Sequence, residues 1–169
     1  MRFAYSLQVG RPKAEVWNFL WDVDRLKDCI PGCRSIEAVE PRRRYRALLE
    51  EQVGPFKVSF GADVAVSVVE EGSELEMTLA AEDRRVLSSL RMTMRCRLGD
   101  VETAGGGAGG ARIDVETEVE VRGRLATVGQ GLIRRKADAI VGEFVERLRG
   151  QLEPGRADEG ADKTGAAEL

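Results

Sequence analysis

The sequence predicts an α+β domain, a curved antiparallel sheet of about seven strands wrapped around one long C-terminal helix, with two short helices after the first strand. Three observations carry this. From Ser35 to about residue 122 apolar residues recur every second position, the period of strands with one buried face. After Gly123 the period turns helical over some 25 residues. Between the first strand and the rest lie two short stretches at helical spacing. A sheet whose apolar face exceeds what two small helices cover must curl around something, and a long helix lying in the curl satisfies it.

Each element has its own signal. Phe3, Tyr5, Leu7 and Val9 alternate along the first strand. Pro12 suits a first helical position, and Val16, Trp17, Leu20 and Trp21, with Phe19 beside them, follow near helical spacing. The second helix starts at Asp22 or Asp24, carries Leu26 and Ile30, and stops at Pro31. Ser35–Val39 is a short strand. Residues 44–53 set Tyr45, Ala47, Leu49, Glu51 and Val53 on one face, and Gly54-Pro55 turns the chain. Val58, Phe60, Ala62, Val64, Val66 and Val68 share the face of a long regular strand; Leu75, Met77 and Leu79 line the next.

Leu90, Met92, Met94, Cys96 and Leu98 then alternate with Arg91, Arg95 and Arg97, and Ile113, Val115, Val119 and Val121 with Asp114, Glu116, Glu118 and Glu120. These arginines and acids are expected to pair across the two strands on a solvated outer face. AGGGAGG (104–110) reads as a hairpin loop. The last helix is expected over 126–150, about 37 Å long, with Arg134, Arg135, Lys136, Glu143, Glu146 and Arg147 mostly off its apolar stripe. The domain is placed at 1–151 and a disordered polar tail at 152–169.

Composition removes several function classes. The 169 residues are 43% apolar and 33% charged, with a net charge of −3 and a pI near 5.3, a balance that argues against nucleic acid. No run approaches the ~18 apolar residues of a membrane span. MRFAYSLQV reads as a strand rather than a signal peptide, so a cytoplasmic location is expected. The chain has no histidine, which removes the commonest general base and metal ligand together. CIPGC (29–33) has neither the ligand count of a zinc site nor the spacing of a redox pair. Cys29 also falls at a helix end, where the dipole disfavours a thiolate. The segment reads as a structural corner, with Gly32 supplying a positive φ.

Several stretches resemble the CoxG family, accessory proteins of carbon monoxide dehydrogenase: RPKAEVWNFLWDVDRLKDCIPGC with its CIPGC box, YRALLEEQVGPFKVSFGADVAV around a V-G-P turn, and VEVRGRLATVGQGLIRRKADAIVGEFVERL with G-x-L-A-x-x-G before the last helix. The match covers about residues 2–150. It implies a helix-grip fold of the START and Bet v 1-like superfamily, a cavity between sheet and helix, and a lipophilic ligand, a quinone or lipid. It also implies a partner molybdenum hydroxylase of the carbon monoxide dehydrogenase type, recruitment of that enzyme to the membrane and peripheral membrane contact. No catalytic residue, metal or cofactor is implied. The polar tail departs from the membrane-associating segment that family members can carry. Glu51 stands in an inward register where the family has an aliphatic residue. It is expected near the cavity mouth, on a polar head group, or paired with an arginine such as Arg46.

The cavity floor is expected from Val58, Phe60, Val64, Val66, Leu75, Met77, Leu79, Met92 and Met94, and its lid from Val128, Leu132, Ile133, Ala137 and Ile140. Three methionines near one wall suit an accommodating pocket. Trp21 either packs beneath the sheet edge or guards the entrance. Two alternatives stand beside the carrier: a polyketide cyclase-like enzyme drawing on Glu51, Tyr45, Asp63 or Thr117, and an adaptor with a filled core.

Overall fold

The computed structural model describes residues 1–102 and 108–153. Its strands are β1 (Arg2–Val9), β2 (Cys33–Glu40), β3 (Arg44–Val53), β4 (Phe56–Glu70), β5 (Glu74–Asp83), β6 (Ser88–Glu102) and β7 (Ala108–Gly123). Helices α1 (Lys13–Trp21) and α2 (Val23–Cys29) follow β1, and a tight 3-10 turn, Arg124–Val128, leads into α3 (Gln130–Leu152). The seven strands form one antiparallel sheet in the order β1-β7-β6-β5-β4-β3-β2. All neighbours except β1 and β7 are consecutive hairpins, so α1 and α2 carry the chain from one sheet edge to the other.

Local chemistry sets the boundaries. Pro12 caps α1, its carbonyl accepting from Glu15 N at 3.0 Å and Val16 N at 3.2 Å, one residue earlier than the first-turn position expected of it. The Asp22 carboxylate accepts from Arg25 N at 3.4 Å at the head of α2. Gly32 then turns the chain at φ 76°. A Cβ there would overlap the Glu50 carbonyl and lie 2.9 Å from Glu51 Oε1, so CIPGC forms a corner pressed against β3. Cys29 is buried and Cys33 opens β2 opposite Leu49. Burial pushes both thiols up.

Some boundaries differ from those expected. The last helix begins at Gln130 rather than 126, because Gly123 (φ 87°) and Gly129 (φ 90°) bracket the 3-10 turn. Leu152 belongs to α3 and is 7% exposed in the core, one residue beyond the expected domain end. At 23 residues α3 is about 34 Å long. Part of AGGGAGG is strand: Gly110 pairs with Val101 and Ala108 with Glu102. Gly110 passes so close to β1 that a Cβ would lie 2.6 Å from the Val9 carbonyl oxygen. Positions 104–107 and the tail 154–169 lie outside the described residues.

The core has two centres. One joins Val16, Trp17, Phe19 and Cys29 of the short helices to Val145, Leu148 and Leu152 of α3, over Leu7, Val9, Leu75, Cys96, Leu98 and Ile113. Cys96, deep in it, has its thiol pushed up to about 11 by burial. The other lies toward the opposite end of the sheet, where Val53, Val58, Phe60, Ala62, Leu79 and Ala81 pack around Leu125. On the outer face, Arg95 and Arg97 stand opposite Glu116 and Asp114 in the β6–β7 register. Their ion pairs nonetheless run to the other neighbour, β5: Arg95 to Glu76 at 2.6 Å and Arg97 to Glu74 at 2.9 Å. Acids flank each arginine from both sides, and the guanidinium reaches the β5 partner.

Candidate functional site

Strand register builds the site. Tyr45 pairs with Val64, Val64 with Leu79, Leu79 with Met92, and Met92 with Val119. By alternation these five share the concave face and form one continuous row across β3 to β7, about 19 Å long at the usual strand spacing. Above the row, Ala126, Gln130 and Ile133 come from the start of α3 and the turn before it. Between them lies an open cleft of about 1150 Å³, also bordered by Met1, Val39 and Val121. Residues on either side of each row member, among them Arg46, Asp63, Arg91 and Glu120, belong by alternation to the opposite face and border the cleft where the chain passes. The inward side chains are therefore uncharged.

Of the residues expected to make a cavity, Val64, Leu79, Met92 and Ile133 border this cleft. Val58, Phe60 and Leu75 are instead buried in the two core centres. Val66 packs against the first centre and Val128 against the second. Met77 and Met94 oppose each other in the next row, half-buried outside the cleft wall. Leu132 leans on the β3–β4 turn, where a Cβ on Gly54 would stand 2.9 Å from Leu132 Cδ2. Ala137 and Ile140 are half-buried further along α3. Trp17 and Phe19 are buried in the first centre. Trp21 packs at its edge, ring centroid 5.6 Å from that of Trp17, with its indole N–H buried and unmatched among the described residues.

Polar contacts hold the first half of α3 on both sides of the opening. On the β3 side, Glu51 Oε2 meets Lys136 Nζ at 2.7 Å, with the side chains 23% and 31% exposed. The partner of Glu51 is thus a lysine of α3; Arg46 reaches Asp63 instead, at 3.7 Å. Lys136, expected off the apolar stripe, faces the sheet because a long aliphatic stem carries its charge to the carboxylate. On the β1 side, Tyr5 donates its hydroxyl to Asp138 Oδ1 at 2.8 Å. Burial, then the Asp138 carboxylate, raises its pKa. Arg134 lies 4.8 Å above the Phe3 ring. At the far end of α3, Arg25 donates to Gln151 O at 3.1 Å and Arg11 to Leu152 O at 2.7 Å. These cations complement the helix C-terminus.

The groups an enzyme would draw on are dispersed. Glu51 is tied to Lys136, Asp63 is 83% exposed, and Thr117 donates to the Thr93 carbonyl at 2.9 Å. Only Tyr45 of that set lies in the cleft row. Sequence alternation places Tyr45 and Val119 on inward faces, but only cross-strand register aligns them with Val64, Leu79 and Met92. Asp83 carries no motif beyond its position before a turn. Its side chain is 3% exposed and accepts from Ser59 N at 2.7 Å and Arg85 N at 3.0 Å. Those amide bonds, Ser59 foremost, hold its carboxyl below the usual range.

No described helix is long and apolar enough to cross a membrane. Curated protein sequences give no match. Among solved structures the chain is similar to a conserved protein from Geobacillus kaustophilus, with TM-score 0.80 and 19% identity over 91% of this chain and 96% of that one. It is similar to a START superfamily protein from Mycobacterium smegmatis, at 0.68 and 12% over 90% and 97%. It is also similar to Ara h 8.0201, at 0.61 and 17% over 92% and 99%. At these identities the likeness is one of fold, and the fold is the START and Bet v 1-like helix-grip. The family profile of CoxG, the G component of carbon monoxide dehydrogenase, matches residues 6–153. The chain belongs to the carbon monoxide dehydrogenase CoxG family.

Proposed function

We propose that the protein is a non-catalytic carrier of a lipophilic ligand, a quinone or a lipid. It serves a molybdenum hydroxylase of the carbon monoxide dehydrogenase type by peripheral contact with the membrane. The observation that carries this reading is the uncharged row Tyr45–Val64–Leu79–Met92–Val119 under the start of α3, bordering about 1150 Å³ of open space. A cleft of that size walled by apolar side chains is the usual form of a small-molecule site. The ligand would lie along the row, with Ile133 above it. The partner enzyme and the membrane contact are inferred from family membership. The dispersal of Glu51, Asp63 and Thr117 favours carriage over cyclase-type chemistry, which needs acid and base groups converging on one substrate.

Native mass spectrometry of freshly purified protein, followed by organic extraction, tests the proposal. A co-purifying quinone or lipid near one-to-one stoichiometry is the expected result. An apo mass unchanged after incubation with menadione or phospholipid overturns it in favour of a ligand-free adaptor.

A further inference from the structure

The hydroxyl of Tyr45 is held in place by an anchored donor. It accepts from Arg42 N at 2.8 Å. Arg42 sits in the left-handed region at φ 66°, a conformation that disfavours any residue with a Cβ. Its side chain is fixed over the Trp21 ring at 4.5 Å and on Glu71 at 2.8 Å. Glu71 in turn accepts from Trp17 Nε1 at 3.2 Å. Three elements therefore keep the Arg42 amide pointed at the phenol oxygen.

A phenol also has a proton to give, and among the described residues no acceptor takes it. Tyr45 is 8% exposed and ends a row whose other members, Val64, Leu79, Met92 and Val119, offer no strong acceptor. A buried donor without an acceptor costs free energy that a ligand atom can return.

We infer that Tyr45 is the residue that selects and orients the ligand, donating its hydroxyl proton to a neutral carbonyl oxygen while the apolar remainder lies along Val64 to Val119. This rests on the carrier reading and adds to it a chemical class: uncharged lipophiles with a carbonyl oxygen, whether on a quinone ring or an ester. Hydrocarbons of the same shape lose the polar contact.

The test is displacement of the neutral fluorophore N-phenyl-1-naphthylamine by menadione (ring carbonyl), methyl oleate (ester carbonyl) and 2-methylnaphthalene (no oxygen). Tyr45→Phe is expected to weaken a carbonyl competitor about three- to tenfold, the worth of one neutral hydrogen bond, and to leave 2-methylnaphthalene unchanged. Loss for menadione alone assigns a ring carbonyl, and loss for methyl oleate alone an ester. Arg42→Gly keeps the main-chain donor and suits the left-handed turn, so it should retain the discrimination. Equal changes for all three competitors in Tyr45→Phe overturn the inference and spare the carrier reading. A wild-type protein that binds neither fluorophore nor competitors overturns both.

Discussion

Residues 145–152 of α3 press Val145, Leu148 and Leu152 into a dense centre shared with α1, α2 and the sheet, and arginines close the helix end. Residues 130–141 of the same helix bury none of their side chains fully. They roof an open cleft and are held at the sides by Lys136–Glu51 and Tyr5–Asp138. Gly142, with open space where a Cβ would be, lies between the two halves. Apolar surface sealed inside a packed centre stabilises the fold and is lost to a ligand. One helix divides the two tasks along its length, and its polar side contacts appear where packing is absent.

The largest predicted effect separates these halves. Leu148 is 1% exposed, so Leu148→Ala should cost about 2–5 kcal/mol in urea unfolding, as buried leucines do. Ile133→Ala removes a half-buried side chain from the cleft roof and should cost under about 1 kcal/mol, with its effect falling on ligand affinity. Equal losses would mean that the cleft half is as tightly packed as the other.

Gly32→Ala comes next. The left-handed strain is about 1–2 kcal/mol, and overlap with the Glu50 carbonyl adds to it by pushing the corner off β3 beside Glu51. Gly72→Ala is the control: φ is 81°, but nothing lies near the added Cβ, so only the strain remains. If the two variants melt alike, the corner does not depend on its close approach to β3.

The strands were legible because alternation survives in β3 to β7 almost without interruption, and β3 falls on residues 44–53 as the pattern requires. The corner was legible because proline and glycine have few conformational options. The site was legible only in part. A period of two tells which face a residue takes but not which residue stands opposite it, so Val58 and Phe60 looked equivalent to Val64. Register and curvature bury the first two beneath the turn around Leu125 and leave the third at the cleft. Lys136 was misplaced for a related reason, since its partner Glu51 lies on β3, far away in the chain, and no helical wheel contains it.

The cleft-side end also has a titrating clamp. The Asp83 carboxyl, held low by the amides of Ser59, Arg85 and Val86, ties β4 to the β5–β6 turn. Because its folded pKa lies below the unfolded value near 3.9, its contribution to stability is fully present above that value. It is lost as pH falls through the folded pKa. Unfolding free energy measured from pH 6 down to pH 2 should therefore fall less steeply for Asp83→Asn than for the parent. The same slope in both proteins would show that other carboxylates dominate acid unfolding.

The smallest effect on global stability bears most on the comparison. Lys136 and Glu51 are partly solvated, so their pair should contribute no more than about 1 kcal/mol to unfolding, and Lys136→Met or Glu51→Gln should hardly move the melting temperature. The pair bridges α3 to β3 where few apolar contacts do, and local opening is governed by what holds the local segment rather than the whole chain. Amide hydrogen exchange in residues 130–141 should therefore quicken in either variant, while residues 145–152 keep their protection. The double variant should add little beyond one single variant, because each change breaks the same contact. Faster exchange along the entire helix would instead mean that α3 opens as one unit and that its two halves are not mechanically distinct.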